Sequence, residues 1–224
     1  MTSILVVAAH PDDEVLGCGG YIAARVKSGD EVVVTFVSDG VTSRDENSGV
    51  AEIETRRHAA RSAAKVLGVK DVSFGDLPDN KLDSVPLLEV IKTIESVIRR
   101  VQPSIVVTHF GGDLNIDHRI VNQAVITSCR PTSGQCVKQI MFFEIPSSTE
   151  WQIQRKGEAF VPNWFEDISQ TLELKVQALK MYEHELREWP HPRSLKAVEY
   201  LAHWRGASCG VDAAEAFILG RRTP

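Results

Sequence analysis

The run ILVVAA at residues 4–9 limits the fold more than any other feature, because it is apolar without interruption, rich in β-branched side chains and suited to a strand buried on both faces. Such a strand needs helices above and below it, and the chain alternates accordingly. Tyr21, Ile22, Ala24 and Val26 lie in a helical segment closed by Gly29, and residues 31–38 (EVVVTFVS) read as a second strand ended by Asp39 and Gly40. A polar, mobile loop is expected at 42–47. Ile53, Ala60, Ala64 and Leu67 recur at helical spacing over 51–67, before Gly68 and a third strand at 72–74. Leu88, Ile91, Ile94, Ile98 and Val101 repeat the helical pattern over 87–101, and Pro103 introduces a strand at 105–108. A helix through about residue 128, with Asp117 as its expected cap, and a strand at 140–145 complete the series. The expectation is an α/β fold with a parallel, doubly wound sheet and helices on both faces.

The pattern changes after Pro146. Residues 147–167 are irregular, with Trp151, Pro162 and Trp164, and helices are expected near 169–186 and 194–205. With no repeat, low-complexity tract or linker, the simplest organisation is one domain over 1–224: a core at 1–146 and a C-terminal helical extension at 147–224 packed on it. At 224 residues and 43% hydrophobic content the chain can build one sizeable core. A net charge of −5, from 25 basic and 30 acidic residues, argues against nucleic acid or an anionic membrane surface as partner. Cys18, Cys129, Cys136 and Cys209 show no C-x-x-C spacing and read as reduced thiols of a cytoplasmic protein. The apolar run at 4–9 has no basic segment before it and reads as a strand rather than a leader, and no stretch approaches the roughly 20 apolar residues of a membrane span.

In an open α/β sheet, ligands bind beyond the carboxyl ends of the strands. The first strand ends in His10-Pro11-Asp12-Asp13-Glu14, an imidazole and three carboxylates in five residues. Such a cluster is costly through like-charge repulsion and desolvation, and a divalent cation relieves it. The alternative is an acidic helix N-terminus favoured by the macrodipole, with His10 a polar residue at a strand end. A second constellation, His109-Phe110-Gly111-Gly112-Asp113-Leu114-Asn115-Ile116-Asp117-His118, follows the strand at 105–108. His10, Asp13 and His118 together supply three His and carboxylate ligands, the pattern of a catalytic zinc site, without any cysteine. His109 either lines the pocket or is a satisfied structural histidine. Gly17, Gly19 and Gly20 suggest a dinucleotide fingerprint, but the third position is Ile22 and that reading fails.

AAHPDDE at residues 8–14, followed by Asp113-x-Asn115-x-Asp117-His118, resembles the LmbE-like, or PIG-L, family of zinc-dependent N-deacetylases. Arg57, Leu77-Pro78-Asp79, Lys175 with Tyr182, Arg205-Gly206 and Ala214-Glu215-Ala216-Phe217 extend the resemblance over most of the chain. It implies a Rossmann-like fold and Zn2+ (or another divalent transition metal) held by His10, Asp13 and His118, with Asp12 as general base. It also implies substrate contacts from Arg57 and Asp79, with His109 and Asp113 placed beside them. Glu14 and Asp117 then support the ligands from behind. Where many members carry an oxyanion-stabilising histidine this chain has Asn115, a neutral donor or a turn residue. Arg193 with Ser194, after two prolines, suits a phosphate or nucleotide group, or is an ordinary capped start of a helix. The expected activity is removal of the N-acetyl group from an acetamido sugar of N-acetylglucosamine type, free or nucleotide-linked, releasing acetate and an amine. The alternatives are a metal- or sugar-binding module that has lost catalysis and a hydrolase of another amide. A homo-oligomer, dimer or hexamer, is expected through the Trp-rich C-terminal third.

Overall fold

The computed structural model describes residues 1–40, 50–153 and 159–224, so the loop expected at 42–47 lies outside the described residues. The chain runs β1 (Ser3–Ala8), α1 (Asp13–Lys27), β2 (Glu31–Ser38), α2 (Val50–Leu67), β3 (Asp71–Leu77), α3 (Leu87–Val101), β4 (Ile105–His109), α4 (Ile116–Ser128) and β5 (Gln139–Phe143). It continues with β6 (Trp164–Asp167), α5 (Leu172–Leu179), α6 (Leu195–Ala207) and β7 (Ala214–Arg222). The strands form one sheet in the order β3-β2-β1-β4-β5-β7-β6. β1 to β5 are mutually parallel, and β7 and then β6 extend the sheet antiparallel. This is the mostly parallel α/β arrangement read from the sequence.

β1 behaves as its composition demands. Its side chains alternate between the two faces of the sheet. Ile4, Val6 and Ala8 pack with Tyr21, Ile22, Ala60 and Leu67 from α1 and α2, while Leu5 and Val7 pack with Ile94, Ile98 and Val125 from α3 and α4. All five β1 residues are fully buried, and each large aliphatic among them contributes about 1.5–3 kcal/mol. α3 shows the amphipathic logic of a helix covering one face: Val90, Ile91, Ile94 and Ile98 are buried, and Leu88 is exposed.

The C-terminal third differs from the expected helical extension. It supplies two helices, but it also adds β6 and β7, with β7 paired to β5 through Phe143↔Phe217. The run Ala-Phe-Ile-Leu within β7 carries an apolar strand signal that the search for helices passed over. The four cysteines are free thiols. Among the described residues no helix is long and apolar enough to cross a membrane.

The site is positioned by the register between β1 and β4. Val7 lies opposite Thr108, so the residues after both strands emerge side by side at the carboxyl edge of the sheet. Strand order also reverses between these two strands, which makes this the crevice where an open α/β sheet receives its ligand.

Candidate metal centre and active site

His10, Asp13 and His118 come together although they stand on separate elements, and their ligand atoms all lie within 4.8 Å of one another. Asp13 Oδ2 is 3.1 Å from His10 Nδ1 and 3.3 Å from His118 Nε2. All three residues are buried. The outer nitrogen of each histidine meets an aspartate: His118 Nδ1 is 3.0 Å from Asp113 Oδ1, and His10 Nε2 is 3.1 Å from Asp117 Oδ2. Carboxylates in that position fix ring orientation and tautomer and turn the inner nitrogens toward a common point. Two atoms of this group, Asp13 Oδ1 and His118 Nε2, are buried without a hydrogen-bond partner. Buried polar atoms of this kind are costly unless something binds them, and a divalent cation satisfies both.

Electrostatics agrees with the geometry. Burial works against a positive His10, but Asp117 and Asp13 outweigh it and push the imidazole up to about 10. Burial likewise opposes charge on His118, and Asp13 and Asp113 carry it up to about 9. Asp13 is held well below the usual carboxylate range by His118 and His109 in spite of its burial. The niche therefore attracts positive charge, either as protons or as a metal ion that displaces them.

Asp12 stands beside this group without belonging to it. It is 1% exposed and adopts φ 121° and ψ −29°, a left-handed conformation that a non-glycine residue keeps only where its surroundings enforce it. Glu14 supplies part of that enforcement: its Oε2 accepts the Asp12 amide at 3.0 Å and its Oε1 accepts the Tyr182 hydroxyl at 2.6 Å. Burial pushes the Asp12 carboxyl up to about 6 against the pull of Arg193, which suits a group that must accept and release a proton near neutrality.

Several expected substrate contacts are placed differently. Arg57 turns away to the outer face, where it pairs with Asp76 at 2.6 Å and Glu54 at 3.4 Å. Its neighbour Arg56 faces the site instead, donating to Glu185 and to the Pro11 carbonyl and lying 3.9 Å from Asp12 Oδ2. One residue rotates a helix position by about 100°, and two adjacent arginines gave the sequence no means of choosing. Asp113 is buried, and its oxygens are taken by His118, Asn115 N, Ser148 and Thr149, so it orients a ligand rather than the substrate. His109 is also fully buried. Its Nε2 accepts the Ala9 amide at 2.8 Å, which requires the neutral ring, and its face lies on His118 at 4.0 Å. Its Nδ1 is buried without a hydrogen-bond partner, so it lies behind His118 as an incompletely satisfied histidine. Asp79 lies 3.1 Å from His10 Nε2, beside Asp117.

Arg193 does reach the site, where it meets Asp12. Its Nη1 donates to Asp12 Oδ2 at 3.0 Å and its Nε to Ser147 Oγ at 2.8 Å. Ser194 is the ordinary cap of α6, with Oγ accepting the Ala197 amide. Asn115, not Asp117, caps α4: its Oδ1 accepts the Asp117 amide at 2.8 Å and its Nδ2 donates to Asn80 Oδ1 at 2.9 Å. The expectation for Asp117 therefore holds in its supporting form only, since its oxygens accept the Asn80 and Leu82 amides and face His10. Sequence reading passed over Arg56, Ser148 and Thr149. The rule that strand ends carry the site would have pointed to the last two, because they follow β5 at the same edge.

Residues 5–129 match the PIG-L family, described as GlcNAc-PI de-N-acetylase. The uncharacterized deacetylase YaiS of Escherichia coli is 30% identical over 80% of this chain and 89% of its own length. The diacetylchitobiose deacetylase of Thermococcus kodakarensis is 31% identical over 83% of this chain and 70% of its own. In fold, the conserved protein TT1542 of Thermus thermophilus superposes with a TM-score of 0.79 at 24% identity, covering 100% of this chain and 97% of that one. The two constellations that hold His10, Asp13 and His118 lie within the matched residues, and the chain belongs to the PIG-L family.

Proposed function

We propose that this protein is a metal-dependent deacetylase that hydrolyses the N-acetyl group of an acetamido sugar to acetate and a free amine. The observation that carries the reading is the convergence of His10, Asp13 and His118, two of whose atoms are buried and unpartnered, beside a buried carboxylate outside that cluster, Asp12. The diacetylchitobiose deacetylase among its relatives supports the substrate class.

His10, Asp13 and His118 would hold a divalent ion, which when bound would polarise the amide carbonyl and acidify a water. Asp12 removes the proton from the attacking water and returns it to the departing amine, so that one carboxyl serves as base and then acid. Arg193 keeps that carboxylate in a single orientation through its 3.0 Å hydrogen bond. Of the two Asn115 Nδ2 hydrogens one goes to Asn80, and the other is the neutral donor assigned to the developing oxyanion. Asp113 and Asp117 hold the two histidine rings. Zinc is the ion proposed, since two histidines and one aspartate without any thiolate make a catalytic rather than a structural zinc arrangement. The proposal extends to a cytoplasmic setting and to homo-oligomerisation, supported by Trp151, Trp189 and Trp204, exposed by 51%, 52% and 67%.

The test is acetate release from purified, zinc-loaded protein against free, phosphorylated, nucleotide-linked and disaccharide N-acetyl sugars. Turnover of one class identifies the substrate. Release from none of them at high enzyme concentration overturns the reading.

A further inference from the structure

α1 is two helices joined at a break. Cys18 leaves helical geometry, with φ −150° and ψ 26°, in the middle of the element whose first turn carries Asp13 and Glu14 and whose preceding residue is Asp12. A break in a buried helix strands backbone groups that must find partners elsewhere. Here they are met by side chains from the C-terminal third. Lys175 Nζ donates to the Leu16 carbonyl at 2.8 Å, so it closes the first half. Glu215 accepts the Gly20 amide through Oε1 at 3.0 Å and the Tyr21 amide through Oε2 at 2.7 Å, so it caps the second half. Thr171 Oγ1 donates to the Gly20 carbonyl at 2.8 Å. Lys175 and Glu215 are themselves paired at 2.5 Å, with side chains 5% and 4% exposed.

The surroundings fix the break as well as the caps. A Cβ on Gly17 would overlap the Phe143 ring and one on Gly20 would overlap Ile168, so this part of α1 is pressed onto β5 and onto the segment that leads into α5. A buried ion pair is a poor means of stabilising a fold compared with apolar residues of the same volume. This one serves the backbone groups of a single kink.

We propose that Lys175 and Glu215 are positioning residues for the reaction. By capping both sides of the break they set the direction in which the first turn of α1 leaves the sheet, and hence where Asp12 and Asp13 stand relative to His118. The inference rests on the roles given above to Asp12 and Asp13. Neither Lys175 nor Glu215 touches substrate or metal. Their effect passes through the backbone of residues 16–21, so it falls on the metal site and on the chemical step while leaving substrate binding alone.

The double variant K175M/E215L removes both charges together, so it leaves no unpaired ion in the core, and removes both caps. Its zinc affinity by competition with a chromophoric chelator is expected to fall at least tenfold, and kcat with saturating zinc at least tenfold, with KM within threefold of wild type. The second variant, E215D, keeps the ion pair but is one methylene too short to accept both amides. Its kcat is expected to fall at least fivefold with an unchanged KM. The inference is overturned if either K175M/E215L or E215D turns over with wild-type kcat, or if the loss appears in KM alone. D12N measured beside them separates the two levels: an active D12N sinks the catalytic reading itself, whereas an inactive D12N with fully active Lys175 and Glu215 variants sinks only the positioning role.

Discussion

The first two thirds of the chain and the last third do different work at one site. The segments after β1 and β4 provide His10, Asp13 and His118, the proposed metal ligands, and Asp12, the proposed base, while among the described residues those after β5 add none to that cluster. What the last third provides is support. Ser148 and Thr149 hold Asp113, Tyr182 holds Glu14, Arg193 holds Asp12, and Lys175 with Glu215 holds the break in α1. The reacting groups occupy two short, sequence-contiguous segments, whereas their supports are scattered over loops and helices. A metal site works only when both are in place, because ligands left to choose their own rotamers lose geometry and affinity.

Removing the ion should have the largest effect and act on the first region alone. Chelation is expected to abolish acetate release and lower Tm, since an ion that binds only the folded chain stabilises it by mass action, and zinc should restore both. Turnover persisting in a fully demetallated sample would break the comparison at its root. Asp12→Asn should follow, with kcat reduced by roughly 10²–10⁴ as expected for loss of a general base, and with zinc content unchanged by metal analysis. Asp113→Ala tests whether support matters as much as ligation. It strips His118 Nδ1, Ser148 and Thr149 of their acceptor, and zinc affinity should drop about 10–100-fold.

Arg193→Ala probes the contribution of the last third directly. Loss of one charge-assisted hydrogen bond, worth about 1.5 kcal/mol for a partly exposed arginine, should lower kcat about tenfold, with KM little changed. A raised KM with intact kcat would mean that the C-terminal third binds substrate rather than orienting the base. The smallest effect is expected at Arg57→Ala. Arg57 pairs with Asp76, whose side chain is 88% exposed, so kinetics should be unaltered and stability should change by no more than about 0.5 kcal/mol by denaturant titration.

The comparison also explains what could be read in advance. β1, β2, α3 and β4 were legible because a strand buried on both faces and a helix covering one face each impose a local pattern of side chains. His10, Asp12, Asp13 and His118 were legible because their chemistry is carried within two short motifs. β6 was missed because a short edge strand has little pattern of its own, and Arg56 was taken for Arg57 because nothing local fixes the rotation of α2. The sequence leaves Arg193 between an anion contact and an ordinary helix entry because the carboxylate it meets, Asp12, is 181 residues away.

The sequence by itself determined the alternation that makes a parallel sheet, the residues able to bind a metal and the carboxylate able to move a proton, because each of these follows from side-chain chemistry and short-range periodicity. Only the tertiary structure decided that β1 lies beside β4, so that two distant motifs share one edge, and which side chains hold the ligands in place. Those choices depend on strand register and on long-range satisfaction of buried polar groups. The same arginine, serine or lysine is then a solvated surface residue or a determinant of the site according to which backbone and carboxylate atoms the fold brings to it.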